Sequence, residues 1–114
     1  MDKESFSFEV FPGKNASTRI VRLNGPLVLQ GIFDLQAELA RDHPPLTIFD
    51  LSGVPYMDSA GMGVITNCYV SATNRGNRVI VAGTTKRVLD LFNVTRVDTI
   101  LPMTATVEEA EAQA

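Results

Sequence analysis

Two β-forming runs, separated by a segment patterned as a helix, constrain this chain more than anything else in it. LTIFDLS (residues 46–52) is a short β-rich run bounded by the double proline Pro44-Pro45 and by Gly53, and RVIVAG (residues 78–83) is the most hydrophobic strand candidate. Runs that are apolar with little alternation read as strands buried on both faces, as in parallel sheets. From about Ala60 to Asn74 the pattern predicts a helix, ended by NRGN, where Gly76 suits a left-handed C-terminal cap. Strand, helix and strand in that order imply a crossover that joins parallel neighbours.

The flanks extend this core. SFSFEVF (residues 5–11) alternates, with Phe6, Phe8 and Val10 on one side, and predicts a half-buried edge strand. PGKNAS is a turn, and TRIVRLNG (residues 18–25) is a second strand, so the pair predicts an antiparallel hairpin. QGIFDLQAELAR (residues 30–41) sets Ile32, Leu35 and Leu39 at helical spacing, with Phe33 and Ala40 widening the apolar face. TTKRVLDLF offers Val88, Leu91 and Phe92 to a further helix, TILPM a last short strand, and TATVEEAEAQA a terminal helix begun at Thr104 or Thr106. The expected fold class is α/β: one domain over residues 1–114, with a mixed sheet and helices mainly on one face.

Composition excludes several functions. A net charge of −3 and a pI near 5.0 argue against a nucleic-acid binder, which carries a basic face. The charged start, MDKESFSFEVF, lacks a signal-peptide core, and no apolar run approaches the ~20 residues that span a bilayer, so the expectation is a cytoplasmic protein without membrane insertion. Cys68 is the single cysteine and His43 the single histidine. Disulfides, thiolate clusters and nucleophilic triads are therefore not expected, and neither a metal nor a cofactor is implied. Cys68 reads as a small buried helix residue, and His43, beside two prolines, as a turn residue.

The chemistry concentrates in VPYMDSAGMGVIT (residues 54–66), where Asp58 and Ser59 stand together at the start of the central helix. Both are good N-caps, and a cap alone accounts for either one. Only one side chain is needed, however, so the other is surplus. Ala60, Gly61 and Gly63 leave the first turn nearly bare, and two glycines so close in a helix indicate a steric demand stronger than helix propensity. Tyr56, Met57 and Met62 are large groups placed to flank the site, as at adaptable binding surfaces. The residues themselves leave both accounts open: a structural cap, or a hydroxyl that acts as a switch.

FDLSGVPYMDSAGMGVIT resembles the signature of STAS domains, the sulfate transporter and anti-sigma factor antagonist family, and in particular the bacterial anti-sigma factor antagonists. RVIVAGTTKRVLDLFNVTRVDTILPM resembles the family's strand, helix and short final strand, so the likeness covers nearly the whole chain. It implies the STAS fold, a sheet of four to five strands with about four helices. It also implies a partner-switching regulator rather than an enzyme, with no catalytic residue. Ser59 matches the serine that a kinase-type anti-sigma factor phosphorylates and a serine phosphatase resets. Tyr56, Met57, Asp58, Ala60, Gly61 and Met62 would form the partner-binding surface of a stress-response regulator of transcription, monomeric or weakly dimeric.

The chain departs from the family's pattern at three places. Antagonists commonly carry a Gly-Glu-Leu-Asp type segment after the second strand, whereas this chain reads GPLVLQG (residues 25–31) and lacks the acid. Ala60 stands where a second hydroxyl is frequent, and Arg96 where many members have glycine. The resemblance also extends to the STAS subunit of lipid-transporting ABC systems, in which Ser59 would touch a partner without being phosphorylated, and to scaffold components of stress-sensing assemblies.

Overall fold

The computed structural model describes residues 5–114. The charged residues 1–4, part of the start that was read as lacking a signal-peptide core, lie outside the described residues. Five strands form one sheet in the order β1-β2-β3-β4-β5: β1 Ser7–Pro12, β2 Thr18–Asn24, β3 Leu46–Gly53, β4 Arg78–Ala82 and β5 Met103–Thr104. β1 pairs with β2 antiparallel, and β2, β3, β4 and β5 are mutually parallel. The hairpin, the edge position of β1 and the parallel crossovers all match the sequence reading.

The hairpin turn carries its own bonds: Gly13 N–H donates to Thr18 O at 2.9 Å, and Asn15 Oδ1 accepts from the Ser17 N–H and hydroxyl. Phe6 and Phe8 rest against the core, but Val10 is exposed, because β1 is an edge strand with no helix beyond it. Phe11, one residue on, turns to the opposite face of the sheet.

Helices α1 Ile32–Arg41, α2 Ser59–Asn74 and α3 Lys86–Thr95 cover one face. Leu35 and Leu39, Val64 and Ile65, and Val88 and Phe92 meet Val21, Leu23, Phe49, Leu51, Val79 and Val81 of the sheet there. Each such side chain taken fully from water contributes about 1.5–3 kcal/mol. The opposite face is smaller: Ile20, Ile48, Ile80 and Ala82 lie beneath α4, Val107–Glu111, through Ala110 and Val107. β3, buried from Leu46 to Asp50 and at Leu51, is sandwiched between the two, which explains its unbroken apolar pattern.

Three details of the sequence reading are corrected, and one open alternative, between Thr104 and Thr106, is decided. Phe33 and Ala40 do not widen the buried stripe of α1. Both are exposed, Phe33 by 65%, because Ile32, Leu35 and Leu39 already face the core and Phe33 points off that face. TILPM does not form a continuous strand: residues 97–99 make a single 3-10 turn, and pairing begins only at Met103. Thr106, not Thr104, caps the terminal helix by accepting the Glu109 N–H at 3.1 Å, while the Glu109 carboxylate reaches back to the Ala105 N–H. Cys68 is half-buried rather than buried, since its stretch of α2 borders an open cleft.

Two helix ends turn through the left-handed region. Gly76 does so at φ 79°, as expected, and the Asn77 N–H closes back on Ala72 O at 2.7 Å. Arg96 takes the same conformation at φ 63° after α3, where a glycine would carry no penalty.

Candidate functional site

After β3 the chain crosses the end of the sheet through residues 54–58 before α2 begins. The Val54 N–H donates to Leu51 O at 3.0 Å, and the Thr85 hydroxyl, just ahead of α3, donates to Val54 O at 2.7 Å. A second strip, drawn from the GPLVLQG run, lies beside this loop. Leu27 and Met57 form a parallel bridge, the Leu27 N–H donates to Tyr56 O at 3.1 Å, and the Asp58 N–H donates to Leu27 O at 3.2 Å. The segment that lacks the family's acid is thus one wall of the site.

Asp58 joins the two strips. Its Oδ1 accepts the Gly61 N–H at 2.9 Å and so caps α2, while its Oδ2 accepts the Leu29 N–H at 3.2 Å. Bonds from amides to a charged carboxylate are among the stronger ones available to a helix start. The cap therefore falls to Asp58, and Ser59 is the residue surplus to it. Ser59 is the first residue of α2 and exposed, and among the described residues its hydroxyl has no hydrogen-bond partner.

The glycines divide in the same way. A Cβ on Gly61 would run into the Leu27 carbonyl oxygen and lie 2.8 Å from Leu27 Cγ, so Gly61 is required by the chain's own packing. A Cβ on Gly63 would meet nothing within 4 Å among the described residues, so that position is bare toward the outside.

Of the residues predicted to bind a partner, Asp58, Tyr56, Ala60 and Met62 are part-exposed around Ser59. Met57, at 8% exposure, belongs to the core, and Gly61 is buried against Leu27; these two shape the site from beneath. Tyr56 lies under the Arg87 guanidinium, 4.8 Å from its ring centroid, which brings a cation from α3 to the rim. Met62 accepts a weak contact to Sδ from the Thr95 hydroxyl at 3.4 Å.

Sequence reasoning missed two surface groups. Leu29 is 55% exposed and donates its N–H to Asp58; Phe33, 65% exposed, follows one turn later. The signal was present: with Ile32, Leu35 and Leu39 inward, a 3.6-residue period leaves Phe33 off the buried stripe. Among the described residues no group of three or more His, Cys, Asp and Glu is placed to hold a metal ion, and no helix is long and apolar enough to cross a membrane.

A five-stranded mixed sheet with four helices meets the fold expectation, and the profile of the STAS domain matches residues 13–110. The chain belongs to the STAS domain family. Solved structures agree on the fold. A crystal structure of an anti-sigma factor antagonist from Mycobacterium paratuberculosis is similar at a TM-score of 0.87, with 18% identity, covering 98% of this chain and 96% of that one. The anti-sigma factor antagonist SpoIIAA in its unphosphorylated form gives 0.79 and 20%, covering 94% and 95%; the Bacillus protein is also known in a phosphorylated form. A sulfate transporter family protein from Wolinella succinogenes gives 0.72 and 20%, covering 87% and 85%. This STAS domain therefore shares its fold with regulators and with transporter domains alike.

Proposed function

We propose that this STAS domain is an anti-sigma factor antagonist, a non-enzymatic partner switch governed by reversible phosphorylation of Ser59. The observation that carries the reading is the division of labour at the start of α2. Asp58 supplies the cap, so the exposed Ser59 hydroxyl can be modified without undoing the helix. A phosphate there adds about −1.5 to −2 charge at the positive end of a helix, which the fold tolerates. A partner docked over Leu29, Tyr56 and Met62 would have to bury that charge. The cost of several kcal/mol corresponds to a hundredfold or greater loss of affinity.

In this reading a kinase-type anti-sigma factor binds the unmodified domain, transfers phosphate from ATP to Ser59 and lets go, and a serine phosphatase restores the hydroxyl. ATP and its metal belong to the kinase. That SpoIIAA is known in both phosphorylated and unphosphorylated forms supports the reading.

The test is to mix the protein with a kinase-type anti-sigma factor from its own genome and ATP, and follow intact mass. The expected result is a gain of one phosphate, lost in Ser59→Ala, and release of the complex on modification. A gain that persists in Ser59→Ala removes Ser59 from the mechanism. Stable binding with no mass gain makes the domain a fixed adaptor, as in the ABC-transporter or scaffold readings, and refutes the switch.

A further inference from the structure

A cleft of about 380 Å³ opens between the C-terminal halves of α1 and α2, at the end of the sheet away from Ser59. From Ser59 to Ser71, which lines it, twelve helical residues at 1.5 Å each place it roughly 18 Å from the switch position. Its volume falls within the range of small-molecule sites.

Its floor holds a half-buried arginine with no carboxylate hydrogen-bond partner among the described residues. Arg19 Nε and Nη2 donate to Thr47 Oγ1 at 3.2 and 3.0 Å, and Nη1 donates to the carbonyl oxygens of Asp42 at 3.2 Å and Leu39 at 3.5 Å. All of these acceptors are neutral. Of the five guanidinium N–H groups, one on Nη2 is left over. Burial lowers the Arg19 pKa; Cys68, Asp42 and Glu38 act in the opposite direction.

Arg75 stands at the rim, exposed, with no side-chain partner among the described residues. Among the described residues no Asp or Glu lines the cleft, in a chain where acids outnumber Lys and Arg by 13 to 10. The remaining walls are mixed: Leu39, Val64 and Ala72 are apolar, while Asn67, Ser71 and Gln36 offer neutral polar groups.

From this arrangement we infer that the cleft binds a small amphiphile whose terminal anionic oxygens sit between Arg19 and Arg75 and whose short apolar body lies along Leu39 and Val64. The guanidinium fork suits the oxygens of a phosphate monoester or a carboxylate. The site is independent of the Ser59 reading.

The chain's single thiol supplies the assay, because Cys68 lines the cleft. The full chain is labelled with N-ethylmaleimide at mildly alkaline pH and followed by intact mass, with hexyl phosphate, hexanoate, hexan-1-ol or inorganic phosphate present. Hexyl phosphate should slow labelling saturably, with hexanoate acting as the carboxylate arm, and hexanol and phosphate should not. Arg75→Gln should weaken the protection about tenfold, the size of one lost charge-assisted hydrogen bond. Ser59→Ala should leave it unchanged. Arg19→Lys keeps the charge without the fork and should weaken it too; should that variant fold poorly by circular dichroism, Arg75→Gln still decides. Labelling unaffected at about 10 mM hexyl phosphate, ten times a millimolar Kd, overturns the proposal. Equal protection by hexanol, or unaltered protection in Arg75→Gln, overturns it as well.

Discussion

Gly61 and Gly63 look interchangeable in the sequence, and the structure predicts opposite responses to the same substitution. Glycine to alanine inside a helix normally gains about 0.5–1 kcal/mol. At Gly63 a methyl group meets nothing within 4 Å among the described residues, so Gly63→Ala should realise that gain. At Gly61 the methyl group collides with the Leu27 carbonyl oxygen and lies 2.8 Å from Leu27 Cγ. The carbonyl cannot swing aside cheaply, since it accepts the Asp58 N–H and belongs to the strip bridged to Met57. Overpacking costs about 1–3 kcal/mol, and one or two weakened backbone bonds add about 0.5–1.5 each. After subtracting the propensity gain, Gly61→Ala should destabilise by about 2–3 kcal/mol. The two variants should then differ by at least about 10 °C in Tm for a domain of this size. Thermal and urea denaturation, followed by circular dichroism, measure the gap. Melting points within a degree or two of each other would show that the Leu27 strip yields freely and that the close approach of α2 does not hold the site.

Asp58→Ala removes both the cap and the Leu29 bond and should cost about 2 kcal/mol, whereas Ser59→Ala should stay within about 0.5; denaturant melts separate them. Equal losses would mean that Ser59 shares the cap. Arg96→Gly should gain about 0.5–1 kcal/mol, because the left-handed penalty at φ 63° exceeds the added entropy of the unfolded glycine, and a lower Tm would contradict this. Burial pushes the Cys68 thiol above its ordinary 9.0, against a smaller pull from Arg19. A raised folded value means the unfolded chain loses this proton first, so the contribution is complete below pH 9.0 and falls away as the pH rises beyond it. The stability of the native chain relative to Cys68→Ala should therefore decline in alkali, and a constant difference would show the thiol titrating alike in both states.

The mixed sheet, its hairpin and its parallel crossovers were legible because β3 and β4 are buried on both faces and so spell out their apolar runs, while Phe6 and Phe8 alternate in the half-covered β1. The capped start of α2 was legible too, since Asp58 and Ser59 are together one more than a single cap needs. The residues by themselves left open which of the two takes the cap, and only the resemblance pointed to Asp58. Asp58 takes the cap because its second oxygen also reaches Leu29, a contact between residues 29 positions apart that no local pattern encodes. Gly61 and Gly63 differ for the same reason: the Leu27 carbonyl arrives from a distant segment. The strip at residues 26–29 looked in the sequence like a place where an acid had been lost. In the fold it is the partner of the Tyr56–Asp58 loop, with Leu29 left outward.

These contacts bear on where a phosphate on Ser59 would act. Within the domain its effects oppose one another: the helix dipole favours the added charge by about 0.3–1 kcal/mol, and the neighbouring Asp58 carboxylate disfavours it by a comparable surface-screened amount. Asp58 is held by Gly61 and Leu29 with no bond to Ser59, so modifying Ser59 should leave the helix start in place. The modified and unmodified domains should accordingly melt within about 1 kcal/mol of each other, while under the proposed switch their affinities for a kinase-type anti-sigma factor would differ at least a hundredfold. A large shift in Tm on phosphorylation would place the switch in the fold itself. A small shift with lost binding would place it where Leu29, Tyr56, Met62 and the bare Gly63 meet another surface, and Gly63→Ala, which should leave the fold intact, would then report by its effect on binding how closely that surface approaches.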